Sequence, residues 1–305
     1  MDLAQLETFL AVVQEKSFSR AAKRLRRTQP AVSQLVRKLE SELGELLFDR
    51  SSRDGTLTDA GRVLQEYAQE LLNLRTEARA SLVELRQLQK GQLRIAANEY
   101  TCLYLLPVLH EFRRVHSMIR VAVQRALASN VAQQVLEHAV EMGMLSFRPD
   151  DPQLRSIVVY RDELAFVVPP THPLARASQV DIRHLGAEVF VAHNVPSPYR
   201  ARVLQAFARH KTPLHMDVEL PTIETIKKFV ARGNGVALVP GIAVEEEIAR
   251  GELVRVPVRE LAFERKLRLV YRRQGTLSHA GRAFLKVVES VSAARGGRYL
   301  AQTER

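Results

Sequence analysis

Residues 17–43 hold two short amphipathic helix patterns separated by only about three residues. Ser17 and Thr28 each precede one of these patterns, and their hydroxyl oxygens suit the N-cap position. Pro30 falls in the first turn of the second helix, where its missing N–H would have had no intrahelical partner. Since so short a connection forces the two helices to cross closely, this stretch predicts a helix-turn-helix unit.

The second helix of this unit has an apolar face and a polar, basic face. Its apolar positions occupy about a third of the circumference and are expected to be buried. They are Val32, Leu35, Val36, Leu39 and Leu43. On the opposite face, glutamine can bond an adenine edge, and arginine can bond a guanine edge or a phosphate. Arginines at the turn would meet phosphates, which position a protein on DNA without specifying its sequence.

The segment after Gly44 predicts a small β-hairpin, or wing. The sequence "LFDRSSRDGTLTDAG" alternates in polarity and contains the Asp54-Gly55 turn signal. With an amphipathic first helix before it, residues 1–58 are expected to form a mainly α, winged helix-turn-helix domain that binds DNA. The residues expected to contact DNA are Arg24, Arg26, Arg27, Thr28, Gln29, Pro30, Ser33, Gln34, Arg37, Arg50 and Arg53.

The charge balance also favours an anionic partner, since the formal net charge is +11 and the pI is about 10.1. Two alternatives exist for the basic N-terminal segment: a helix that binds a membrane, or a face that is only exposed to solvent. A membrane helix would not be broken by a capped turn at Thr28. The N-terminus lacks a basic region before a long apolar run, and no later stretch has the uncharged length of a membrane span. We therefore expect a soluble, cytoplasmic protein.

A long linker helix is predicted over residues 59–90, because apolar residues recur at spacings of three, four and seven. The positions of this predicted seam are Leu64, Leu71, Leu74, Ala78, Leu85 and Leu88. The pattern alone allows the seam to pack on its own domain or to pair with a second chain. Because few flanking elements could cover so long a seam, we expect it to form a homodimer.

Residues 91–305 alternate strand and helix patterns, which indicates parallel α/β layers. We expect two lobes, lobe one over about residues 91–162 and 268–300 and lobe two over about 163–267. The segments "YRDELAFVVPP" and "ERKLRLVYRR" are the candidate crossing strands between them. The final helix, from Ser278, is expected to return to lobe one.

A ligand in this arrangement would bind where strand ends and helix N-termini of both lobes face one crevice. Free N–H groups there favour an anionic or polar ligand, and Arg125, Arg148 and Arg200 are nearby in the sequence. Helix capping explains each serine, threonine or asparagine about equally well when it is taken singly. The residues expected to line the crevice are Asn98, Tyr100, Thr101, Ser129, Asn130, Ser146, His193, Asn194, Ser197 and Thr222.

Four linked motifs carry a resemblance to a known family. In order, "SFSRAAKRL", "TQPAVSQLVRKLE", "LGELLFDR" and "LTDAG" resemble the winged helix-turn-helix of LysR-type transcriptional regulators. The later domain resembles that family's α/β effector-binding domain, which has two lobes like a type II periplasmic solute-binding protein. "GNGVALVP" matches a common loop of that domain. Two positions depart from the family pattern: Gln34 stands where many members have arginine, and Glu141 stands at the usual aspartate position.

The resemblance implies a regulator that binds double-stranded promoter DNA and whose binding is modulated by a small-molecule effector in the crevice. It also implies that the linker helix pairs two chains, as a homodimer or a homotetramer. Two other classes compete with this interpretation. A solute-binding transport component would need an export signal, and an enzyme with an accessory DNA-binding domain would need a catalytic constellation.

The residues give little support to catalysis or to a metal or cofactor. Cys102 and His110 are eight residues apart on one predicted helix, which does not place a thiol beside a base. The nine histidines are scattered without paired metal spacing, and the one cysteine excludes an internal disulfide and a multi-cysteine zinc site. One cysteine also suits a reducing compartment. We therefore expect no catalytic residue, no metal and no cofactor.

Overall fold

The computed structural model describes residues 1–49, 55–86, 91–194 and 197–303. Its contacts divide the chain into two units. Unit one comprises Met1–Leu88 with Glu137–Ala139, and unit two comprises Gln89–Leu136 with Val140–Arg305. Within the described ranges, no helix is both long enough and apolar enough to cross a membrane.

Unit one begins with three helices, α1 (Leu3–Glu15), α2 (Phe18–Leu25) and α3 (Gln29–Leu43). The Ser17 hydroxyl accepts a hydrogen bond from Arg20 N at 3.3 Å, and Thr28 Oγ1 accepts one from Ala31 N at 3.4 Å. Both caps lie where the sequence predicts them. The connection between α2 and α3 therefore has the length expected of a helix-turn-helix.

The buried stripe of α3 differs from the prediction at one end. Val32, Val36 and Leu39 are buried in the core of unit one, whereas Leu35 is half-buried and Leu43 is 39% exposed. Leu43 is the last residue of α3, and Gly44 follows with φ +73°, which turns the chain away from the helix. The prediction that Leu43 is buried is therefore wrong, because the helical period alone does not show where the covering core ends.

The flanks of the predicted wing are paired. Phe48 and Leu57 form an antiparallel bridge, and Asp49 N donates to Thr56 O at 2.8 Å. The Phe48 ring packs against Phe9 and Phe18, with ring centroids 5.4 and 5.3 Å away. The base of the wing is thus fastened to the helical core of unit one.

A long helix, α4 (Asp59–Arg86), completes unit one. It exposes a row of large apolar side chains, which we call the α4 stripe: Val63, Tyr67, Leu71, Leu74 and Leu82. Of the predicted seam positions, Leu71 and Leu74 are exposed, whereas Leu64 packs on the core of unit one. Ala78 is exposed, whereas the Leu85 side chain and Leu88 lie outside the described residues.

Unit two is an α/β structure of two lobes. The elements of lobe one are β1 (Gln92–Ala97), α5 (Glu99–Val115), β2 (Arg120–Arg125), α6 (Ala128–Leu136), β3 (Met142–Leu145) and the first part of β4 (Leu154–Val168). Those of lobe two are the end of β4 and then β5 (Val189–His193), α7 (Pro198–Arg209), β6 (His215–Leu220), α8 (Ile223–Ala231), β7 (Ala237–Pro240), α9 (Glu245–Ala249) and β8 (Val254–Arg255). The chain returns to lobe one through β9 (Glu264–Arg272), α10 (His279–Arg295) and β10 (Tyr299–Thr303).

The lobe-one sheet has the strand order β10-β4-β9-β3-β1-β2. Strand β1 lies parallel to β2 and β3, and β9 lies antiparallel to β3 and β4. Helix α10 packs into the core of this lobe, where Phe284 meets Phe112 edge-on at 5.4 Å. The predicted return of the final helix to lobe one is therefore confirmed, while β10 is an element that the sequence pattern does not predict.

Strand β4 joins the two lobes. It pairs with β9 from Leu154 to Glu163, and from Leu164 onwards it pairs with β7. In lobe two, β5 lies parallel to β6 and is bridged to Val236, just before β7. The change of partners at Glu163 and Leu164 places the ends of β4 in different lobes. The segments predicted to cross are parts of β4 and β9.

Candidate functional site

The outer surface of the helix-turn-helix is open and basic. Of the residues predicted to contact DNA, all those in the described part are exposed except Ser33, which is half-buried. We call this surface the basic face; it comprises Arg24, Arg26, Arg27, Thr28, Gln29, Pro30, Ser33, Gln34 and Arg37. Arg50 and Arg53 lie outside the described residues.

Three hydrogen bonds order the edge of the basic face. Gln29 Nε2 donates to Ser33 Oγ at 3.0 Å, across one turn of α3. Arg24 Nη1 donates to Gln14 Oε1 at 2.6 Å and contacts Glu15 Oε1 at 3.3 Å. Arg24 is thus held against the end of α1 rather than standing free.

Three cations of the basic face have no acidic partner in the part of the chain that the structure describes. Arg26, Arg27 and Arg37 form no ion pair with any residue in the described ranges. Arg26 has φ 54°, a left-handed conformation that ends α2 and turns the chain towards α3. Unpaired guanidinium groups on an exposed turn suit phosphate contacts, because no internal ion pair must be broken first.

A buried carboxylate on the opposite side of α3 fixes the wing to this helix. Glu40 is only 8% exposed, and its Oε1 accepts hydrogen bonds from Leu47 N at 2.8 Å and Phe48 N at 3.4 Å. Glu40 is not among the residues predicted from the sequence. Its only signal is an acid on the apolar side of an amphipathic helix.

Unit two contains a cavity between its lobes, with an empty volume of about 1140 Å³ that includes space open to solvent. Lobe one contributes Asn98, Tyr100 and Arg125, and lobe two contributes the β5–α7 turn and a broad apolar wall. Arg265, at the start of β9, also lines it. The cavity therefore lies in the crevice that the sequence predicts.

Four of the ten residues predicted for the crevice line this cavity, namely Asn98, Tyr100, His193 and Ser197. The others have different surroundings. Thr101 is fully buried in a capping box, and Thr222 caps α8. Ser129 donates to Asn130 on the exposed surface, Ser146 is buried, and Asn194 is exposed.

The helix starts around the cavity already use some of their N–H groups for bonds within the chain. Asn98 Oδ1 accepts from Thr101 N at 2.9 Å, and Ser197 Oγ accepts from Tyr199 N at 3.2 Å. Glu99, in lobe one, accepts from the α8 residues Ile223 N at 3.3 Å and Glu224 N at 3.4 Å. Capping thus explains these residues, and the expected role of free helix N–H groups in ligand binding is weakened.

Sequence analysis missed the buried arginine at the edge of the cavity. Arg265 is 1% exposed and forms an ion pair with Asp162, Nη1 to Oδ2, at 2.8 Å. Its guanidinium stacks between the rings of Tyr100 and Tyr199, 4.9 Å from each centroid. Since Tyr100 is in lobe one and Tyr199 in lobe two, Arg265 bridges side chains of both lobes.

The donors of Arg265 are not all satisfied. Its Nε is buried and has no hydrogen-bond partner among the residues that the structure describes. Burial raises the pKa of the Asp162 carboxyl, and the charge of Arg265 opposes that shift. Tyr199 Oη donates to the Ser146 carbonyl at 2.9 Å, which fixes the ring on one side of the guanidinium.

The described residues include no group of three or more His, Cys, Asp or Glu side chains placed to hold a metal ion. Cys102 is half-buried, and burial raises the pKa of its thiol. A raised pKa disfavours the thiolate, which is the nucleophilic form.

Two family models match the chain. The model described as "Bacterial regulatory helix-turn-helix protein, lysR family" matches residues 3–62. The model described as "LysR substrate binding domain" matches residues 86–293, which is more than half of the chain. The two matches correspond to the helix-turn-helix and to the two-lobed part of the molecule.

Similar proteins extend over nearly the whole chain. The "RuBisCO operon transcriptional regulator" of Allochromatium vinosum is 29% identical over 293 residues, which cover 96% of this chain and 97% of the relative. The "Probable RuBisCO transcriptional regulator" of Cyanidioschyzon merolae is 35% identical over 275 residues, covering 87% and 90%. These matches span both units.

Solved structures show the same fold. Full-length CbnR complexed with its target DNA has a TM-score of 0.72 at 18% identity, with coverage of 95% of this chain and 99% of that one. The regulatory domain of Synechocystis CcmR in complex with 2-PG has a TM-score of 0.61 at 24% identity, covering 66% and 97%. The predicted fold class, a winged helix-turn-helix followed by a two-lobed α/β domain, is therefore confirmed.

Proposed function

The chain belongs to the LysR family of bacterial transcriptional regulators, and from this premise we propose which of its surfaces bind DNA and effector. The basic face binds promoter DNA, and a small molecule in the cavity of unit two changes that binding. The observation that carries the DNA proposal is the group of unpaired cations at an exposed helix-turn-helix, Arg26, Arg27 and Arg37. The interlobe position of the cavity carries the effector proposal.

The side chains of the basic face divide into two roles. Arg26 and Arg27, at the turn, contact phosphates and set the register of the protein on DNA. Gln34, on the exposed side of α3, bonds a base edge in the major groove. Arg37, on the same side, bonds a base edge or a phosphate, and its charge displaces counterions from the DNA. Gln34 stands where many members of the family have arginine. The base preference of those members at this contact therefore does not carry over to this chain.

An Arg37→Ala variant tests the DNA proposal. We expect promoter affinity to fall about tenfold, and the slope of log affinity against log salt to become shallower by about one for each subunit. Gel-shift titrations at two salt concentrations measure both quantities. Arg232→Ala, at an exposed arginine of unit two, is the matched control and should bind like the parent. Equal affinity and equal salt slope for Arg37→Ala and parent would overturn this assignment.

The α4 stripe supports pairing of two chains through α4. Its five side chains are exposed in one chain, at spacings typical of a helix-helix seam. Exposed apolar rows of this kind usually mark an interaction surface. We therefore infer a homodimer through α4, with assembly to a tetramer through further surfaces of the chain.

For the effector to regulate DNA binding, it must bind one arrangement of the molecule better than another, because equal affinities would shift nothing. The relatives named as RuBisCO regulators make the promoter of such an operon the first DNA fragment to test. The 2-PG complex of CcmR makes 2-PG the first ligand to compare. A change in promoter affinity on adding a cavity ligand supports the proposal.

We infer that the cavity binds an effector of a regulator and does not catalyse a reaction. The family consists of transcriptional regulators. Among the described residues that line the cavity, the Ser197 hydroxyl accepts from Tyr199 N and the His193 ring contacts the Pro221 carbonyl, which are structural roles rather than those of a nucleophile and its base. Incubating the protein with any compound that binds the cavity, and measuring turnover, tests this inference. Conversion of the compound would revive the enzyme alternative.

A further inference from the structure

The two sides of the cavity differ in chemistry. The lobe-two wall consists mainly of hydrocarbon and aromatic side chains, contributed by β5, α7, β6, β7 and the connection before β6. These residues are Phe190, Val203, Leu214, Met216 and Leu238. All of them belong to the core cluster of lobe two, in which Phe190 is buried and the other four are partly buried. The core of lobe two thus continues into the cavity wall, and that wall favours an apolar ligand surface.

The opposite side is polar and positively charged. Asn98, Tyr100 and Arg125 lie on lobe-one elements, at the start of α5 and the end of β2. Arg125 is exposed and forms no ion pair with any described residue, whereas Arg200 is already paired with Glu219 at 2.6 Å. Arg125 is therefore the cation with a full charge to offer a ligand.

The single acid of the lining does not cancel this charge. Glu99 is the only carboxylate among the described residues that line the cavity, and it accepts N–H groups at the start of α8. The buried Arg265 Nε is a further donor without a partner in the described part of the chain. Arg265 itself lines the cavity, so its guanidinium adds positive charge at this edge, although that charge is paired with Asp162.

The donor supply suits a carboxylate better than a phosphate. A phosphate dianion presents three strong acceptor oxygens and is usually held by a helix N-terminus or by several cations. Here the starts of α5, α7 and α8 are capped by Asn98, Ser197 and Thr222. One unpaired arginine and a few neutral donors match one acidic group with two oxygens.

We propose that the effector of this protein is an organic acid with an apolar body, whose carboxylate faces Arg125 and whose hydrocarbon part lies against the lobe-two wall. The proposal rests on the function proposed above and names the chemical class of its effector. The apolar body distinguishes this class from small phosphorylated acids and sugars, which would leave the lobe-two wall without a partner. The carboxylate distinguishes it from neutral aromatic compounds.

Calorimetric titration of the full chain with three probes tests the ligand class. The probes are benzoate, its neutral analogue benzamide, and 2-phosphoglycolate, which has charge but little hydrocarbon. We expect benzoate to bind about tenfold or more tightly than benzamide or 2-phosphoglycolate. Equal binding of benzoate and benzamide, tighter binding of 2-phosphoglycolate, or no binding of benzoate would each overturn the proposal.

Two pairs of variants locate the binding site. Val203→Asn puts an amide on the apolar wall, and Leu204→Asn makes the same change at the exposed neighbouring position of α7. Arg125→Gln removes the unpaired cation, and Arg113→Gln removes an exposed arginine of the same lobe outside the cavity lining. We expect the first member of each pair to weaken benzoate binding about tenfold, and the second to leave it unchanged. Equal effects within both pairs would place the benzoate site elsewhere and overturn the proposal.

Promoter gel shifts without ligand distinguish failure of the proposed effector class from failure of the proposed regulatory function. If the parent binds promoter DNA but no apolar carboxylate, only the effector class is wrong. If the parent binds a carboxylate in the cavity but binds no DNA fragment specifically, the proposed regulatory function is wrong and the ligand assignment stands. Because Arg125 is an exposed side chain, loss of binding in Arg125→Gln with an unchanged melting temperature reflects the lost contact rather than unfolding.

Discussion

At the scale of single residues, buried polar groups do much to fix the geometry of both sites. Glu40 turns an otherwise apolar side of α3 into an anchor for the wing, because its carboxylate accepts two backbone N–H groups at residues 47 and 48. Arg265 has a comparable place in unit two, between two tyrosine rings. Neither residue contacts DNA in our proposals. Glu40 holds the base of the wing, and Arg265 contacts Tyr100, which lines the cavity.

Removing the Glu40 acceptor should destabilise unit one. Glu40→Ala leaves the N–H groups of Leu47 and Phe48 buried without this partner, so we expect a loss of about 1–3 kcal/mol in the free energy of unfolding. Glu40→Gln keeps a carbonyl oxygen at the same place and should lose less. Urea unfolding followed by circular dichroism measures the difference. Equal losses in the two variants would show that the negative charge of Glu40, and not its acceptor oxygen, contributes this stability.

At the scale of elements, α4 exposes a row of large apolar side chains in the part of the chain that the structure describes. Leu71 lies in the middle of the α4 stripe and is 40% exposed, and Leu74 follows one turn later at 46%. A pairing seam at these positions buries both side chains, whereas a lone chain leaves them in water. A charged side chain at either position would therefore oppose the pairing of two α4 helices.

Leu71→Glu should break the dimer. A carboxylate facing its symmetry mate across an apolar seam is unfavourable, because both charges lose water and repel each other. We expect sedimentation equilibrium to show mostly monomer, and promoter affinity to fall by at least about tenfold because two half-sites are no longer bound together. Gln65→Glu, at an exposed α4 residue outside the stripe, is the control. A dimer that survives Leu71→Glu would contradict pairing through this stripe.

The elements themselves were largely predictable from sequence. Capping oxygens and the helical period gave α2 and α3 their observed starts, because both are local properties of the chain. The register of the long seam was only partly predictable. Leu64 and Val63 are adjacent, and only the position of the core of unit one decides which of them is covered.

The effector cavity was the least predictable part. Its location follows from the alternation of strands and helices, but its lining depends on contacts between distant segments. Phe190, Met216 and Leu238 lie on three separate strands and read as ordinary core residues. Thr101 and Thr222 look suited to ligand binding in sequence, yet their hydroxyls are used to cap helices.

At the scale of the whole molecule, the two lobes of unit two are joined where β4 and β9 pass between them. Asp162 on β4 and Arg265 on β9 form a buried ion pair there, and Asp162 Oδ1 also accepts from Ile242 N of lobe two at 3.1 Å. Arg265 in turn touches one tyrosine of each lobe. Any ligand that changes the separation of the lobes must rearrange contacts made by this pair.

Breaking the pair on one side should therefore destabilise unit two. Asp162→Asn leaves the Arg265 charge buried without its counter-ion, and we expect a loss of about 3–5 kcal/mol in the free energy of unfolding. The double variant Asp162→Asn with Arg265→Met removes the unpaired charge and should lose less. The chain has no tryptophan, and six of its seven tyrosines are in unit two, so tyrosine fluorescence during urea unfolding reports this unit.

The two units provide an internal control for this experiment. Because Asp162 and Arg265 both belong to unit two, the unfolding of unit one and its affinity for promoter DNA without effector should change little in the single variant. Loss confined to the tyrosine signal would place the ion pair's contribution at the crossing of the lobes. A single variant as stable as the parent would show that the pair contributes nothing net. A double variant less stable than the single one would show that the stacking of Arg265 on Tyr100 and Tyr199 contributes more than its charge.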